Sequence, residues 1–276
     1  MAEITAGAVK ALREKTGLPM MDCKKALQEA GGDLDKAVEI LRKAGKQTME
    51  KRAGRATSCG RIAIYTDLAK GVGTIIDLRC ESAPVASNEQ FVQLADDLAK
   101  QLATGPGAAT PDELLDQPSP SNPSEKLRQQ FDDLNNRIRE VFKLERIARI
   151  DGPCGGYAHH NGASAVILHI EGGTPDLAKD ICMHVAAMRP KSLRIEDLDP
   201  AVVAKEREIL SEASRKEGKP ENIIEKMVDG RMRNFYAENC LAEQPFVKDD
   251  KQTVGKVAEA AGMKMIQFVH WELGKE

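Results

Sequence analysis

Residues 60–103 read GRIAIYTDLAKGVGTIIDLRCESAPVASNEQFVQLADDLAKQLA, and this stretch decides the fold. Residues 61–65 (RIAIY) and 74–79 (TIIDLR) are short runs rich in β-branched residues, with a glycine-bearing turn at 69–73 between them. Such runs predict a pair of strands. Apolar residues then recur every three or four positions through FVQLADDLAKQL, which predicts an amphipathic helix over residues 88–103. Between the second strand and that helix lies RCESAPVASNEQF, a connection of small residues with a carboxylate and a proline.

The same order returns downstream. GGYAHH (155–160) reads as a strand, NGAS (161–164) as a turn and AVILHI (165–170) as a second strand. EGGTPD (171–176) is a loop, and residues 177–188 read as a helix. Two copies of one unit indicate paired subdomains rather than a solenoid, which needs at least three repeats. The expected class is therefore α+β, with a core of two similar subdomains.

The segment ahead of this core reads as three short helices. Thr5 caps the first, which carries Ala8, Val9 and Leu12 on one face and stops at Gly17. The second spans residues 20–30 and ends at Gly31-Gly32. Asp33 caps the third, which turns Leu34, Ala37, Val38 and Leu41 inward and is expected to stop at Gly45. Helices this short persist only when packed together. The TGLP turn gathers Leu18, Met20 and Met21 near a helix start. The expected organisation is a helical unit at 1–45, a basic linker at 46–59, a first core subdomain at 60–142 and a second at 143–276.

Within the core, TGPGAATP and DQPSPSNPS (104–124) read as loop by composition. A helix is expected from Asn122 or Ser124 to about Phe142, then a strand over 144–150. Residues 202–218 and a following run opened by Pro220 read as helical insertions, the first strongly charged. The last twenty or so residues predict one helix and one strand.

Composition excludes several classes of function. A net charge of −3 over 276 residues is too balanced for a chain that holds nucleic acid or an anionic membrane by charge. Aromatic residues make up 4%, too few for base-stacking platforms. No run approaches the about 20 apolar residues that span a bilayer, and the first residues lack an export signal. A cytoplasmic protein is expected, with Cys23, Cys59, Cys80, Cys154, Cys182 and Cys240 as reduced thiols.

Enzymatic chemistry finds no home in the motifs. The glycine pairs lack the Lys-Ser/Thr ending of a nucleotide loop, and no metalloprotease helix or nucleophile elbow is present. Cys154, His159 and His160 form the one metal- or thiol-enzyme candidate. Adjacent histidines on a strand face opposite ways, so that reading is remote. No cofactor is expected, and surfaces for protein contact remain.

Three stretches carry a resemblance. LREKTGLPMMDCKKAL (12–27), MHVAAMRP (183–190) and GKPENIIEKMVDGRMRNFYAENCLAEQPFVKDDKQTVG (218–255) are similar, in this order, to the bacterial elongation factor Ts family. Its members are guanine-nucleotide exchange factors for the GTPase elongation factor Tu. The resemblance spans essentially the whole chain. It implies a ubiquitin-associated-like helical domain ahead of a duplicated α+β core, elongation factor Tu as partner, and no bond chemistry of the chain's own. It further implies partner contacts at Leu18, Met20, Met21 and Lys24, at the loop holding Glu81, Ser82, Ala83, Pro84, Val85, Ala86 and Asn88, and at His184. Some members pair as homodimers through the second subdomain, which leaves a homodimer open here.

One departure matters. The family's usual loop reads E-T-D-F-V-A-R-N, whereas residues 81–88 read ESAPVASN. The flanks match, but Ala83 and Pro84 stand where an acid and an aromatic ring are usual. Either Pro84 acts as a smaller wedge, or the effect on nucleotide comes mainly from other contacts, or exchange is weakened. The alternative to exchange is a scaffold or chaperone that docks on the GTPase without releasing its nucleotide.

Overall fold

The computed structural model describes residues 4–216 and 220–275. Helix α1 (Ala6–Thr16) starts where the Thr5 hydroxyl accepts the Ala8 N–H at 3.2 Å, and it ends at Gly17 with φ 69°. Helices α2 (Met20–Glu29) and α3 (Leu34–Glu50) follow, the latter capped by Asp33. Val9, Leu12, Leu18, Cys23, Leu27, Ala37 and Leu41 form their shared core.

Two expectations about α3 are corrected. Leu34 is 39% exposed rather than inward. The helix also passes through Gly45 and runs to Glu50, so the first part of the expected 46–59 linker is helical. Glycine weakens a helix interior by about 1 kcal/mol, and the reason for it here is tertiary. Gly45 is buried against α7 (Leu127–Ile138), where an added Cβ would fall 2.4 Å from the Asn136 side chain.

The first sheet has the order β1 (Cys59–Asp67), β2 (Val72–Cys80), β3 (Lys143–Asp151), all antiparallel. A four-residue turn of helix, α4 (Ala83–Ala86), follows β2, and α5 (Glu89–Thr104) then packs Phe91, Leu94, Leu98 and Leu102 onto the sheet. The segment 143–151, grouped by sequence order with the second subdomain, completes the first sheet instead. Between them, α6 (Pro111–Leu115) and α7 carry the chain back across α5.

Helix α7 is shorter than its periodicity suggested. It begins at Leu127 and ends where Arg139 takes φ 66°. Phe142 lies beyond it, edge-on to Phe91 at 5.0 Å and to Phe131 at 5.9 Å. The Pro/Ser-rich loop is tied down by buried Asp97, which accepts from Ser121 Oγ at 2.6 Å and Gln130 Nε2 at 2.8 Å.

The second sheet has the order β4 (Cys154–Ala158), β5 (Ser164–Glu171), β8 (Lys264–Glu272), with α8 (Pro175–Met188) across it. Helices α9 (Pro200–Lys216) and α10 (Glu221–Asn239) pack on each other through Val203, Leu210, Ile224, Val228 and Met232. The helix end expected at Gly218 lies outside the described residues. A small ribbon of β6 (Pro245–Phe246) and β7 (Asp249–Thr253), unforeseen from the sequence, precedes α11 (Val254–Ala260).

The repeated order is thus β1-β2-α5 and β4-β5-α8, each sheet gaining its third strand beside the second. The two sheets share a core of Ile62, Ile75 and Ile150 from one and Cys154, Ala165 and Ile167 from the other. Arg146 of β3 fastens this junction. It donates to fully buried Asp77 at 3.2 Å, to the Lys275 carbonyl at 2.9 Å, and lies 4.5 Å over the Trp271 ring. Among the described residues, no helix is long and apolar enough to cross a membrane.

Candidate protein-binding surface

The 81–88 segment is a shaped turn with a held base and an open tip. Glu81 is fixed first: its carboxylate accepts the Val141 N–H at 2.8 Å and the Arg55 guanidinium at 3.0 Å. The Val141 contact, aided by Arg55, holds the Glu81 carboxyl below the usual carboxylate range. Ser82 donates its hydroxyl to Glu140 at 2.6 Å and its N–H to the same carboxylate at 3.1 Å. Pro84, with φ preset for a helical first turn, follows Ala83 into α4. Val85 and Ala86 lean on the first core, and the Asn88 side chain accepts the Gln90 N–H at 2.9 Å to start α5. What remains in solvent is Ala83, Pro84, Ser87 and Asn88.

Glu140 and Arg55 were not foreseen as part of this site. They lie far along the chain from Ser82 and Glu81, and no local pattern connects them. Arg139, next to Glu140, reaches the other way and places its guanidinium 2.6 Å from Asp22 of α2. Arg52 donates to the Arg139 carbonyl at 2.6 Å. One two-residue step after α7 therefore contacts both the 81–88 turn and the helical unit.

In the helical unit, Met20 is 43% and Met21 63% exposed, and Lys24 is exposed one turn further along α2. Leu18, expected beside them, is buried in the three-helix core. It shapes the turn from inside.

His184 is likewise not a surface residue. It is fully buried on α8, accepts the Val247 N–H on Nδ1 at 3.2 Å and meets Gln244 Oε1 through Nε2 at 2.9 Å. This pattern assigns the neutral tautomer with its proton on Nε2, and burial holds its pKa below the usual histidine value. The imidazole thereby aims the β6–β7 ribbon, whose Val247 is 50% exposed. The reach of His184 to this ribbon is tertiary, and no local pattern in the sequence records it.

The remote enzyme reading loses its geometry. Cys154 is buried at the start of β4, with its thiol pushed up to about 11 by burial. His159 and His160 lie past the far end of that strand, in the turn rather than on the strand as read from sequence. Their rings are 4.3 Å apart, and His159 Nδ1 is engaged by the Tyr157 hydroxyl at 2.8 Å. Among the described residues, no His, Cys, Asp and Glu side chains group as a metal site.

These elements define an α+β protein of two sheet-and-helix units that carries a three-helix unit ahead of them and presents a turn, a methionine pair and a ribbon tip. Residues 81–275 match the family described as elongation factor TS. The chain is 40% identical over 274 residues to elongation factor Ts of Methylococcus capsulatus, covering 99% of this chain and 92% of that protein. It is 39% identical over 277 residues to elongation factor Ts of Pseudomonas aeruginosa, covering 100% and 92%. Against elongation factor Ts of Aquifex aeolicus the identity is 38% over 285 residues, with 96% of each chain covered. The chain belongs to the elongation factor Ts family of translation elongation factors.

Proposed function

We propose that this chain binds elongation factor Tu in its GDP-bound form and promotes GDP release so that GTP can enter, making and breaking no bonds itself. The observation that carries the reading is the 81–88 turn. It is braced from behind by Glu140, Val141 and Arg55 while Ala83 and Pro84 face solvent. A wedge must resist being pushed back, and this one is held on charged hydrogen bonds rather than on the flexibility of a loop.

In this reading Met20, Met21 and Lys24 dock on the nucleotide domain of the GTPase, with Leu18 supporting them. Ala83 and Pro84 press on the magnesium and phosphate side of the nucleotide site. Those contacts hold the charged end of GDP, so disturbing them weakens it most. The ribbon tip at Val247, aimed by His184, reaches a second region of the partner.

The energetics are those of negative coupling. If this chain weakens GDP binding by some factor, GDP weakens binding of this chain by the same factor. Ordinary couplings of about 1–3 kcal/mol change affinity some 5- to 150-fold. An exchanger that works at catalytic amounts needs more than one contact region to exceed that range.

A second reading is favoured by Ala83 and Pro84 themselves, which lack the acid and the ring usual in the family. In it the chain docks as a scaffold or chaperone and leaves release of GDP slow. The deciding measurement is the release rate of fluorescent GDP from the same organism's elongation factor Tu at substoichiometric amounts of this chain. Acceleration supports exchange, and tight binding without acceleration supports the scaffold. Pro84→Ala is expected to slow release about 3- to 10-fold, a loss of roughly 1 kcal/mol of transition-state contact. An unchanged rate would remove Pro84 from the mechanism.

A further inference from the structure

At the root of the 81–88 turn, two thiols face each other. Cys59, the first residue of β1, and Cys80, the last of β2, are direct partners in the antiparallel ladder. Opposite residues in such a ladder project to the same face, and both side chains pack on the same apolar cluster. Their Cα separation follows from the pairing. Opposite residues lie about 4.5–5.5 Å apart, inside the roughly 4.4–6.8 Å that a disulfide spans. Cys154, the other strand cysteine, faces His169 instead.

We propose that Cys59 and Cys80 are a disulfide-forming site, closed by oxidants of the peroxide class, whose oxidation removes one of the bonds that anchor the 81–88 turn and so loosens it. In the reduced state the Cys80 thiol donates to the Ser82 carbonyl at 3.3 Å, directly beneath α4. A disulfide sulfur has no proton to donate, so closing the bond removes that anchor.

The two thiols play different parts. Cys59 is half-buried and is the one an oxidant reaches, whereas Cys80 is fully buried. Burial, with the Glu140 carboxylate adding to it, pushes the Cys80 thiol up to about 12, which keeps it out of the first attack. Cys59 sulfur takes one oxygen from the peroxide, the O–O bond breaks, and a sulfenic acid and one water result. Cys80 sulfur then displaces the hydroxyl from Cys59, and its proton leaves with that hydroxyl as a second water. Two thiols are oxidised by two electrons in all, and one peroxide is reduced to two waters.

The test uses the full chain and hydrogen peroxide, followed by alkylation of remaining thiols and peptide mapping. The expected product has lost two hydrogens, joins the Cys59 peptide to the Cys80 peptide, and reverts with dithiothreitol. Cys59→Ser, at a half-buried strand end, should fold and lack the cross-link. Amide exchange at residues 82–88 should quicken several-fold on oxidation of the native chain and stay unchanged in Cys59→Ser. Free thiols at both positions after treatment, Cys59 joined to any other cysteine, or identical amide exchange before and after would each overturn the proposal.

The consequence for GDP release rests on the proposed function, and these readouts do not. A reduced chain that fails to accelerate release would overturn the exchange reading and leave the cross-link map to decide the thiol site. If exchange holds, the oxidised chain should release GDP more slowly than the reduced one and recover on reduction.

Discussion

Arg139 and Asp22 meet at 2.6 Å, joining the left-handed end residue of α7 to the first turn of α2, one residue before Glu140 grips Ser82. Adjacent residues thus hold two candidate contact regions of the surface in register with each other.

Arg139→Gly tests that coupling. Both partners of the ion pair are about half exposed, so the pair itself contributes about 0–1 kcal/mol. Glycine also relieves a left-handed φ of 66° that costs an L residue about 1 kcal/mol or more. The urea midpoint should therefore hardly move, while tryptic cleavage at Lys51 and Arg52 quickens as the helical unit loses one of its ties to α7, the Arg42–Asp133 pair remaining. A large fall in midpoint would show that the pair carries stability instead.

Ser82→Ala removes the 2.6 Å bond to Glu140 and leaves the Ser82 N–H in place. Hydrogen bonds to charged groups contribute about 1.5–3 kcal/mol when well shielded, and this half-buried one should contribute nearer 1 kcal/mol. Slower GDP release with little change in binding would mark the brace as a positioning device. Unchanged release would place the rigidity elsewhere.

Asp77→Ala is the severe case. Its carboxylate is wholly buried and serves Arg79 at 2.9 Å and Arg146 at 3.2 Å. Removing it takes the buried carboxylate from two guanidinium groups, with Arg79 keeping Glu145 at 4.0 Å and Arg146 the Lys275 carbonyl at 2.9 Å. The cost therefore falls toward the lower end of the about 3–5 kcal/mol of a broken buried pair. Equilibrium urea unfolding should show a loss of this size, and a loss under 1 kcal/mol would show that solvent replaces the carboxylate.

Acid should weaken the second subdomain. Burial lowers the pKa of His184 and also of His270, the latter opposed by nearby Glu272 and reinforced by Arg189 and Lys275. A histidine whose folded pKa lies below its unfolded value of about 6.5 takes up its proton on unfolding. The associated stability is present above about pH 6.5 and is lost as pH falls through that window towards the folded values. Protonated His184 would also point an N–H at the Val247 N–H it now accepts. The urea midpoint should drop between pH 7.5 and 5.5, less steeply in His184→Gln, where His270 alone remains. Parallel profiles for both chains would remove His184 from this dependence.

Much of the fold was legible because its signals are local. Thr5, Asp33 and Asn88 cap helices where their side chains reach backbone N–H groups two or three residues on, and Gly17 stops α1 by conformation alone. Gly45 misled because its use is tertiary: it makes room for Asn136, and nothing nearby in the chain records that. The strand at 143–151 was legible as a strand, but its place beside β2 depends on a route through α6 and α7 that periodicity does not encode. The ribbon at Pro245 and Asp249 is too short for an alternating pattern to rise above noise.

The site divides the same way. Met20, Met21 and the 81–88 turn were visible through resemblance and exposed composition. Leu18 and His184 were assigned to contact, yet both are buried, because a motif records which residues matter and not the direction in which they act. Glu140 and Arg55 carry no motif, and only folding brings them behind the turn.

The shared core of Ile62, Ile75 and Ile150 with Cys154, Ala165 and Ile167 makes the two sheets a calliper whose jaws are set before anything is gripped. A partner touching both the Ala83–Pro84 tip and the Val247 tip must fit that gap or be bent to it.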